Sequence, residues 1–315
     1  KMFGGRQAAR SLHLIGMFIY LGFAIVHVGL VFIVHAPHNL THIVFGSYDP
    51  SRVGQAYVTV IGTIVVVVAL WIAMSYWTLT DTRRSQRILW DATRGIRHLT
   101  VDRFSSQQAA KKPWTEKDIS KFHWVNTRTP SREESPEYQE LAANDFADFR
   151  LEVGGMVSAP ASFSLAELKA ISSQSQITMH TCMQGWTGIA KWTGIRVRDL
   201  LAQVGQIDPE AGWVMFESFG MAQHMHDGRP VEPYYTCLPL DMALEDDTIL
   251  AWGRNDAPLS GMFGAPLRLR CETSHGYKMI KWVRSVTLIR HYSEVGDGMG
   301  GTREDSGYQD VNARI

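Results

Sequence analysis

Cysteine is scarce in this chain, and its spacing gives no sign of pairing. The 315 residues contain three cysteines, Cys182, Cys237 and Cys271. They form neither the even, closely spaced set of a disulfide framework nor the CxxC pattern of a metal knuckle. The sequence therefore predicts reduced cysteines, as expected in a reducing compartment, and no metal site built from cysteine pairs.

Net charge and nucleotide-binding motifs are lacking as well. Thirty-one basic residues balance 31 acidic ones, which argues against a polyanion-binding protein, so we expect no nucleic acid partner. The absence of GxGxxG, of a Walker loop and of internal repeats disfavours dinucleotide and phosphoryl-transfer enzymes. No charged, apolar and cleavage regions follow one another in secretory order, so we predict no removable signal peptide and expect the true start upstream of Lys1.

Long apolar runs are confined to the first eighty residues. Residues 12–34 and 57–77 are almost wholly apolar, and each run reaches the roughly 20 residues with which a helix crosses a bilayer. Residues 35–55 between them are rich in proline, glycine and asparagine, which predicts an interfacial loop. We therefore expect residues 1–80 to form a transmembrane α-helical hairpin.

Basic residues predict the orientation of this hairpin. Cytoplasmic ends of membrane helices carry an excess of lysine and arginine. The connecting loop contains Arg52 alone, whereas the two flanks carry Lys1, Arg6, Arg10, Arg83, Arg84, Arg87, Arg94 and Arg97. Both ends, and the domain that follows, are predicted to be cytoplasmic.

Two histidines, His13 and His27, lie in the first apolar run. On a helix they are separated by about 21 Å and lie within about 40° of one face. Neutral imidazole is a good axial ligand of haem iron, so the pair could serve two haems stacked across the membrane. Alternatively, His13 lies at the interface and His27 hydrogen-bonds a neighbour.

The surroundings of these histidines favour the haem interpretation. Arg10-Ser11-Leu12-His13 and His27-Val28, followed by Asn39-Leu40 and Gly46, resemble the later half of bacterial b-type cytochromes of the cytochrome b561 and formate dehydrogenase gamma-subunit kind. The resemblance covers residues 6–80. It implies b-type haem, a quinone as electron partner, and a multi-pass protein of a bacterial inner membrane.

The chain departs from that cytochrome pattern in one respect. In the family, other helices supply the opposing haem ligands, yet the second apolar run contains no histidine, and the loop histidines His35, His38 and His42 are poorly placed. We therefore expect a further cytochrome b-like chain, or an upstream segment, to supply them. Residues 81–121 are polar and mixed in charge, which predicts a juxtamembrane amphipathic helix and linker that contacts lipid headgroups or solvent.

The remaining residues have a mixed α/β pattern. Residues 149–153, 213–217, 267–270 and 283–290 alternate as strands do, Ser164 to Glu167 has the capping-box pattern, and residues 198–204 read as a short helix. We predict an α+β domain over residues 122–292. The acidic, glycine-rich residues 293–315 are expected to form an extended tail.

Three segments of this domain combine glycines with reactive or charged side chains. Cys182 lies in His180-Thr181-Cys182-Met183-Gln184-Gly185-Trp186; glycine-led turns precede Arg268 and Lys281. A lone cysteine is more often a small buried side chain than a ligand. Glycine turns beside fixed cations, however, are suited to holding a phosphate.

In this order, the three segments resemble the sulfite oxidase-type molybdopterin enzymes, including their methionine sulfoxide reductase branch, over residues 122–289. The resemblance implies that Cys182 is the thiolate ligand of molybdenum. It assigns pterin or phosphate contacts to Asn126, Ser218, Arg268, Ile280 and Lys281. Tyr234 matches the active-site tyrosine, and Lys278 replaces an arginine of the family's active site. His180 either lines the pocket or is satisfied locally.

Several positions depart from the sulfite oxidase pattern. Val125, Trp186, Thr187 and Lys278 stand where arginines would be expected, and Phe263 replaces a histidine or asparagine. Weaker attraction of a dianion follows, so sulfite is less favoured than a neutral or larger oxo-transfer substrate such as a sulfoxide or N-oxide.

The two resemblances together predict a transmembrane hairpin fused to a sulfite oxidase-type molybdopterin-binding domain. The expected function is a molybdenum-dependent oxidoreductase of the oxygen-atom-transfer type that exchanges electrons with b-haems and quinone. One alternative is a molybdopterin module on a haem-free membrane anchor, served by a soluble redox partner. Another is a structural subunit of a respiratory complex.

Overall fold

The computed structural model describes residues 6–97, 113–222 and 232–307. The chain divides into two compact units, one ending at Thr82 and the other beginning at Arg83.

Among its described residues the first unit contains three α-helices: α1 (Arg6–Ile33), α2 (Ala36–Phe45) and α3 (Val53–Thr80). The predicted interfacial loop is thus largely helical. His35 adopts a left-handed conformation (φ 56°) that separates α1 from α2, and Asn39 Nδ2 donates to the Val34 carbonyl at 2.8 Å. Gly46, also left-handed (φ 75°), ends α2. The proline that predicted a loop lies in the first turn of α2, where it is tolerated.

The long helices carry apolar side chains on all sides. Residues Ser11–Ile33 and Pro50–Thr80 are long and apolar enough to cross a membrane, which confirms the predicted apolar helices. Most of their side chains are exposed in this unit. Helices of this kind occur in membrane anchors and in signal sequences.

The helix α4 (Thr82–Arg97), predicted to follow the apolar helices, starts at the last residue of the first unit and belongs otherwise to the second. The rest of the predicted linker lies partly outside the described residues, which resume at 113. From there a single turn, Glu116–Asp118, leads to Ser120, whose N–H donates to the Ile189 carbonyl at 3.0 Å. This contact fixes the end of the linker against the domain.

In the described part of the second unit, ten strands form two sheets. They are β1 (Arg150–Gly155), β2 (Ala161–Ser164), β3 (Gln174–Thr181), β4 (Thr187–Arg196), β5 (Trp213–Met221), β6 (Pro233–Pro239), β7 (Ile249–Arg254), β8 (Ala257–Pro258), β9 (Arg268–Arg270) and β10 (Val283–Ile289). One sheet has the order β2-β1-β10-β5-β6, in which β1 and β10 alone are parallel. The other has the order β3-β4-β7-β8, with β9 paired to β7. The predicted α+β class is confirmed.

Short helices connect the strands and cover the core. They are α5 (Pro136–Ala143), α6 (Leu165–Ile171), α7 (Val197–Leu201) and α8 (Leu240–Ala243). The predicted capping box is present, since Glu167 N donates to Ser164 Oγ at 3.2 Å and Ser164 N donates to Glu167 Oε2 at 2.7 Å. The predicted strands correspond to β1, β5, β9 and β10. Alternation with period two buries one face of β1, whereas all three residues of β9 are buried.

The C-terminal segment differs from the prediction. Residues 293–307 are packed onto the domain and include a short helix, α9 (Thr302–Asp305), with Glu304 only 3% exposed. The expectation of an extended tail is therefore corrected for these residues. The physical reason is an ion pair between Glu304 and the buried Lys278, which the charge composition of the segment could not reveal. Residues 308–315 lie outside the described ranges.

Candidate active site

A cavity of about 430 Å³ opens in the second unit and collects most of the predicted site residues. Eight of them line it: Asn126, His180, Cys182, Ser218, Tyr234, Arg268, Ile280 and Lys281. They come from sequence positions up to 155 residues apart. The volume lies in the range of small-molecule and cofactor sites.

Cys182 occupies the turn that joins β3 to β4. Its N–H donates to the Trp186 carbonyl, and Gly185 N donates to the Cys182 carbonyl, each at 2.9 Å. Gly185 adopts φ 90°, a conformation that other residues rarely reach. The glycine therefore permits the tight turn that places the Cys182 thiol, 6% exposed, at the cavity wall.

Asn126 approaches this thiol from the segment that precedes the first strand. Its Nδ2 donates to Cys182 Sγ at 3.5 Å and to Gln184 Oε1 at 3.2 Å. The linker contact at Ser120 and Ile189 holds the segment against β4. A donor aimed at sulfur stabilises a thiolate, the form that binds metals.

Lys281 connects three stretches of backbone around the cavity. Its Nζ donates to the carbonyls of Asn126 at 2.6 Å, Thr127 at 3.0 Å and Met262 at 3.0 Å. Burial, followed by repulsion from Arg268, lowers the pKa of Lys281 to about 7. All three donors of the ammonium group are therefore engaged by carbonyls in this structure, so a phosphate would have to displace one of them.

Ser218 and Ile280 complete the same wall. Ser218 Oγ donates to the Lys281 carbonyl at 2.7 Å and accepts from Gly220 N at 2.8 Å. Ile280 is 3% exposed and its carbonyl accepts from Leu269 N at 2.9 Å, which ties the wall to β9. The Ser218 hydroxyl thus contacts the backbone of Lys281 and not its ammonium group.

Arg268 extends from β9 and is 7% exposed. One of its terminal nitrogens donates to the Phe263 carbonyl at 3.2 Å, but its buried Nε has no hydrogen-bond partner among the described residues. Burial and the neighbouring Arg270 lower the pKa of Arg268 to about 9. An unsatisfied buried guanidinium N–H is costly, and an anionic ligand in the cavity would satisfy it.

Trp192 gathers three guanidinium groups behind the cavity. The Cζ atoms of Arg254, Arg268 and Arg270 lie 5.8, 5.2 and 4.4 Å from its ring. Arg270 is neutralised by a bidentate pair with Glu272, with N–O distances of 2.9 and 2.7 Å. The cluster leaves this side of the cavity positive, which favours anion binding.

His180 lies at the edge of this cluster and is 4% exposed. Its Nδ1 lies 3.0 Å from an Arg270 nitrogen and 3.3 Å from the Met279 sulfur. Burial and the arginines lower the pKa of His180 well below its usual value, so the ring is neutral and accepts from Arg270. A Cβ on Gly276 would lie 2.3 Å from His180 Nε2. His180 is therefore both cavity-lining and locally satisfied.

His123 belongs to the same surroundings and escaped the sequence analysis. It is 7% exposed, and its ring lies 5.5 Å from His180 and 5.7 Å from Trp186. Burial, then Arg268, Arg254 and Arg270, lower the pKa of His123 to about 3. Its position three residues before Asn126, on the segment that reaches the thiol, is the signal that would have revealed it.

Two further predicted residues, Tyr234 and Lys278, differ in their position relative to the cavity. Tyr234 lines the cavity, and its hydroxyl donates to the Tyr277 carbonyl at 3.0 Å. Lys278 is fully buried and does not line the cavity. Its Nζ donates to the carbonyls of Cys237 at 3.0 Å and Gly300 at 3.2 Å and pairs with Glu304. The structure thus leaves Lys278 outside the set that surrounds the thiol.

The two predicted haem ligands lie in the first unit. His13 and His27 are both exposed on α1, fourteen residues apart. The His27 ring stacks on Phe23 at 5.3 Å. The helix α3 contains no histidine.

Comparison with known families identifies the second unit. The model of the oxidoreductase molybdopterin binding domain matches residues 138–295, half of the chain. The chain belongs to this family. The match contains Cys182, Tyr234, Arg268 and Lys281, whereas Asn126 precedes it.

The names of several relatives are consistent with this family assignment. The "Putative protein-methionine-sulfoxide reductase subunit YedZ1" of Azospira oryzae is 33% identical over 169 residues, 54% of this chain and 57% of that protein. The "Protein-methionine-sulfoxide reductase catalytic subunit MsrP" of Xanthomonas axonopodis pv. citri is 32% identical over 148 residues, 46% of each chain. The "Uncharacterized oxidoreductase YuiH" of Bacillus subtilis is 31% identical over 148 residues, 46% of this chain and 68% of that protein. The chain spans about half the length of the first two relatives.

The residues present fit a molybdopterin cofactor. Cys182 offers a soft sulfur ligand. The buried Arg268 Nε has no hydrogen-bond partner among the described residues, and an anionic group of the cofactor could accept its hydrogen bond. Among the described residues no cluster of three or more His, Cys, Asp or Glu side chains is arranged to hold a metal, so a metal here would depend on one thiolate and on ligands from the cofactor. The second unit therefore contains an oxidoreductase domain of the molybdopterin-binding kind.

Proposed function

We propose that the protein is a membrane-bound reductase that removes the oxygen atom from a sulfoxide. The observation that carries this proposal is the thiol of Cys182 in a cavity that the buried cations Arg268 and Lys281 also line. The two relatives named as subunits of protein-methionine-sulfoxide reductases support the substrate class. The net reaction takes a sulfoxide, two electrons and two protons to a sulfide and water.

A bound molybdenum cofactor would supply the two-electron centre for this oxygen transfer. The chain's own residues would hold and orient it. Cys182 would supply the metal ligand, and Asn126 would orient its sulfur. Arg268 lies where it can hold the cofactor's phosphate, and Lys281 can join it once the phosphate displaces one of its three carbonyl contacts. Tyr234, fixed by the Tyr277 carbonyl, lies at the wall that a substrate would contact.

Turnover of a neutral sulfoxide tests this reaction. The full chain, purified in detergent with its cofactor loaded, should reduce methyl p-tolyl sulfoxide at the expense of reduced benzyl viologen. The Cys182→Ala variant should lose this activity, whereas Cys271→Ala, which changes a buried cysteine outside the cavity, should keep it. A loaded enzyme that oxidises sulfite but reduces no sulfoxide would contradict the proposal.

We also propose that His13 and His27 ligate two b-haems, which pass electrons between the active site and the quinone pool. Their fourteen-residue spacing on the exposed α1 supports this role. Since α3 has no histidine, a further cytochrome b-like chain or segment supplies the opposing ligands. The isolated 315-residue chain should then show incomplete haem ligation. A pyridine haemochrome assay that finds two haems per chain, together with a spectrum of the untreated protein in which both are fully low-spin and bis-histidine ligated, would refute the need for a partner.

A haem-free membrane anchor served by a soluble redox partner is the second candidate. The exposed apolar surfaces of α1 and α3 support membrane contact with or without haem. The absorption spectrum of the purified native complex decides between the two. Haem bands that respond to added quinol would support electron transfer through haem. A spectrum without haem bands would support the haem-free anchor.

The flanking charges support placement of the catalytic domain on the cytoplasmic side of a bacterial inner membrane. Five arginines follow the hairpin within twenty residues of its end, whereas Arg52 is the one basic residue other than histidine in the connection. Protease added to spheroplasts should leave the domain intact and should digest it after lysis. Digestion in intact spheroplasts would place the domain on the opposite side.

A further inference from the structure

The C-terminal segment contributes a cation to the active-site cavity. Arg303 of α9 lines the cavity, and its guanidinium carbon lies 5.8 Å from the Tyr234 ring centroid. The composition of residues 293–315 predicts an extended tail, so the sequence alone assigns this residue to no site. Its position adjoins the tyrosine that we assign to the substrate wall.

Backbone and side-chain contacts fix α9 in place. Cys237 N donates to the Gly300 carbonyl at 2.9 Å, and Tyr235 N donates to Thr302 Oγ1 at 2.9 Å. Both donors lie on β6, an edge strand of its sheet. On the other side of Arg303, Glu304 pairs with the buried Lys278. Arg303 is therefore carried by a short stretch that is anchored immediately before and after it.

The two carboxylates that follow Arg303 on the same helix have identified partners of their own. Glu304 is engaged with Lys278. Asp305 accepts hydrogen bonds from the Tyr235 hydroxyl and from the N–H groups of Asp297 and Met299, the latter two at 3.1 Å. The charges that α9 carries beside Arg303 thus serve to anchor the helix.

The other cations of the cavity have different tasks. Lys281 is engaged by three carbonyls, and Arg268 lies in the positive cluster around Trp192. Arg303 instead lies over the ring of Tyr234. A charge-assisted contact at this wall would distinguish anionic substrates from neutral ones of the same shape.

We propose that Arg303 is a specificity-determining residue that binds a carboxylate group carried by the sulfoxide substrate, with Lys278 and Glu304 as its positioning residues. This inference rests on the proposed sulfoxide reduction and narrows its substrate class. It also restores, from the C-terminal segment, part of the positive charge that the departures at Val125, Trp186 and Thr187 remove.

A matched pair of substrates tests the role of Arg303. 3-(Methylsulfinyl)propanoate and 3-(methylsulfinyl)propanamide share the reacting sulfoxide and differ in the charge of the remote group. The wild type should prefer the carboxylate in kcat/KM. Because hydrogen bonds to charged groups contribute about 1.5–3 kcal/mol, Arg303→Gln should lower the carboxylate-to-amide ratio about 10- to 100-fold.

Two variants serve as controls. Arg303→Lys keeps the charge and should retain part of the preference, and Arg290→Gln changes an exposed arginine outside the cavity and should leave the ratio as in the wild type. A merely structural effect of Arg303→Gln would lower both activities and leave their ratio unchanged. A ratio within twofold of wild type in Arg303→Gln would overturn the inference.

Binding measured without turnover separates this inference from the proposed reaction. Calorimetric titration of the molybdenum-loaded full chain with each compound should show tighter binding of the carboxylate, and the difference should vanish in Arg303→Gln. If the loaded enzyme reduces neither sulfoxide yet binds the carboxylate through Arg303, the proposed reaction fails and the anion site stands. Equal binding of the two compounds by the wild type would overturn the anion site.

Discussion

The two units of the chain distribute polarity in opposite ways. In the helical unit large apolar side chains lie outside, as at Leu70 (61% exposed) and Trp71 (70%). In the second unit charged side chains lie inside, and Arg270 and Lys278 are fully buried. The first pattern suits an apolar solvent, whereas the second requires a partner for every charge. The stability of the helical unit therefore depends on the solvent around it, whereas the stability of the second unit depends on its buried ion pairs.

Breaking an internal pair should have the largest effect on stability. Lys278→Met would leave the Glu304 carboxylate buried without its partner, and such a loss costs about 3–5 kcal/mol. Urea unfolding followed by tryptophan fluorescence would measure the loss. Lys169→Met on the exposed face of α6 is the control and should change the unfolding free energy little. Equal stability of the two variants would contradict the importance of the buried pair.

An arginine introduced on the surface of α3 tests whether the helical unit depends on an apolar solvent. Val66 is 57% exposed at the centre of the apolar helix. Val66→Arg should disfavour membrane insertion by about 3 kcal/mol, measurable as a reduced inserted fraction in a microsomal integration assay. Val66→Leu should insert as the wild type does. Unchanged insertion of the arginine variant would mean that this surface does not meet lipid.

Acid should destabilise the second unit through His123. Its folded pKa of about 3 lies below the ordinary value of 6.5 because of burial and nearby arginines. Between these values the unfolded state binds a proton that the folded state does not, so stability falls as the pH decreases from 6.5 towards 3. By pH 5 this contribution reaches up to about 2 kcal/mol.

The variant His123→Phe removes this titration. Its unfolding free energy should therefore fall less than that of the wild type between pH 7 and pH 5, when both are measured by urea unfolding. His291→Phe, at a site outside the cavity, is the comparison for a general effect of losing a histidine. An identical pH dependence in wild type and His123→Phe would show that His123 is not the group responsible.

The smallest effect is expected at an exposed ion pair. Arg290 and Glu210 are 61% and 66% exposed, and solvent screens such pairs, so Arg290→Ala should cost less than about 1 kcal/mol. Urea unfolding at low and high salt checks this value. If Arg290→Ala lowered the free energy of unfolding as much as Lys278→Met does, buried and exposed ion pairs would not differ in their contribution to stability.

Local patterns predicted much of this protein, because they reflect local physics. The apolar helices follow from composition, and β1, β5 and β10 follow from alternation. The capping box at Ser164 was predicted from four residues and is present. Cys182 and Arg268, identified by family resemblance, line one cavity.

Long-range pairing could not be predicted in the same way. Lys278 and Glu304 are 26 residues apart, and no local pattern shows that one neutralises the other. The same pair draws α9 onto the domain and brings Arg303 to the cavity, against the expectation of a tail. The helix α2 was missed for a different reason, since its proline lies in a first turn and not inside a loop.

The central claim is that the Cys182 sulfur binds molybdenum, and X-ray absorption at the molybdenum edge tests it most directly. The loaded wild type should show one sulfur neighbour more than the Cys182→Ala variant, while Cys271→Ala should match the wild type. Molybdenum content, measured on the same samples, normalises the comparison. The same number of sulfur neighbours in Cys182→Ala and wild type would contradict the account.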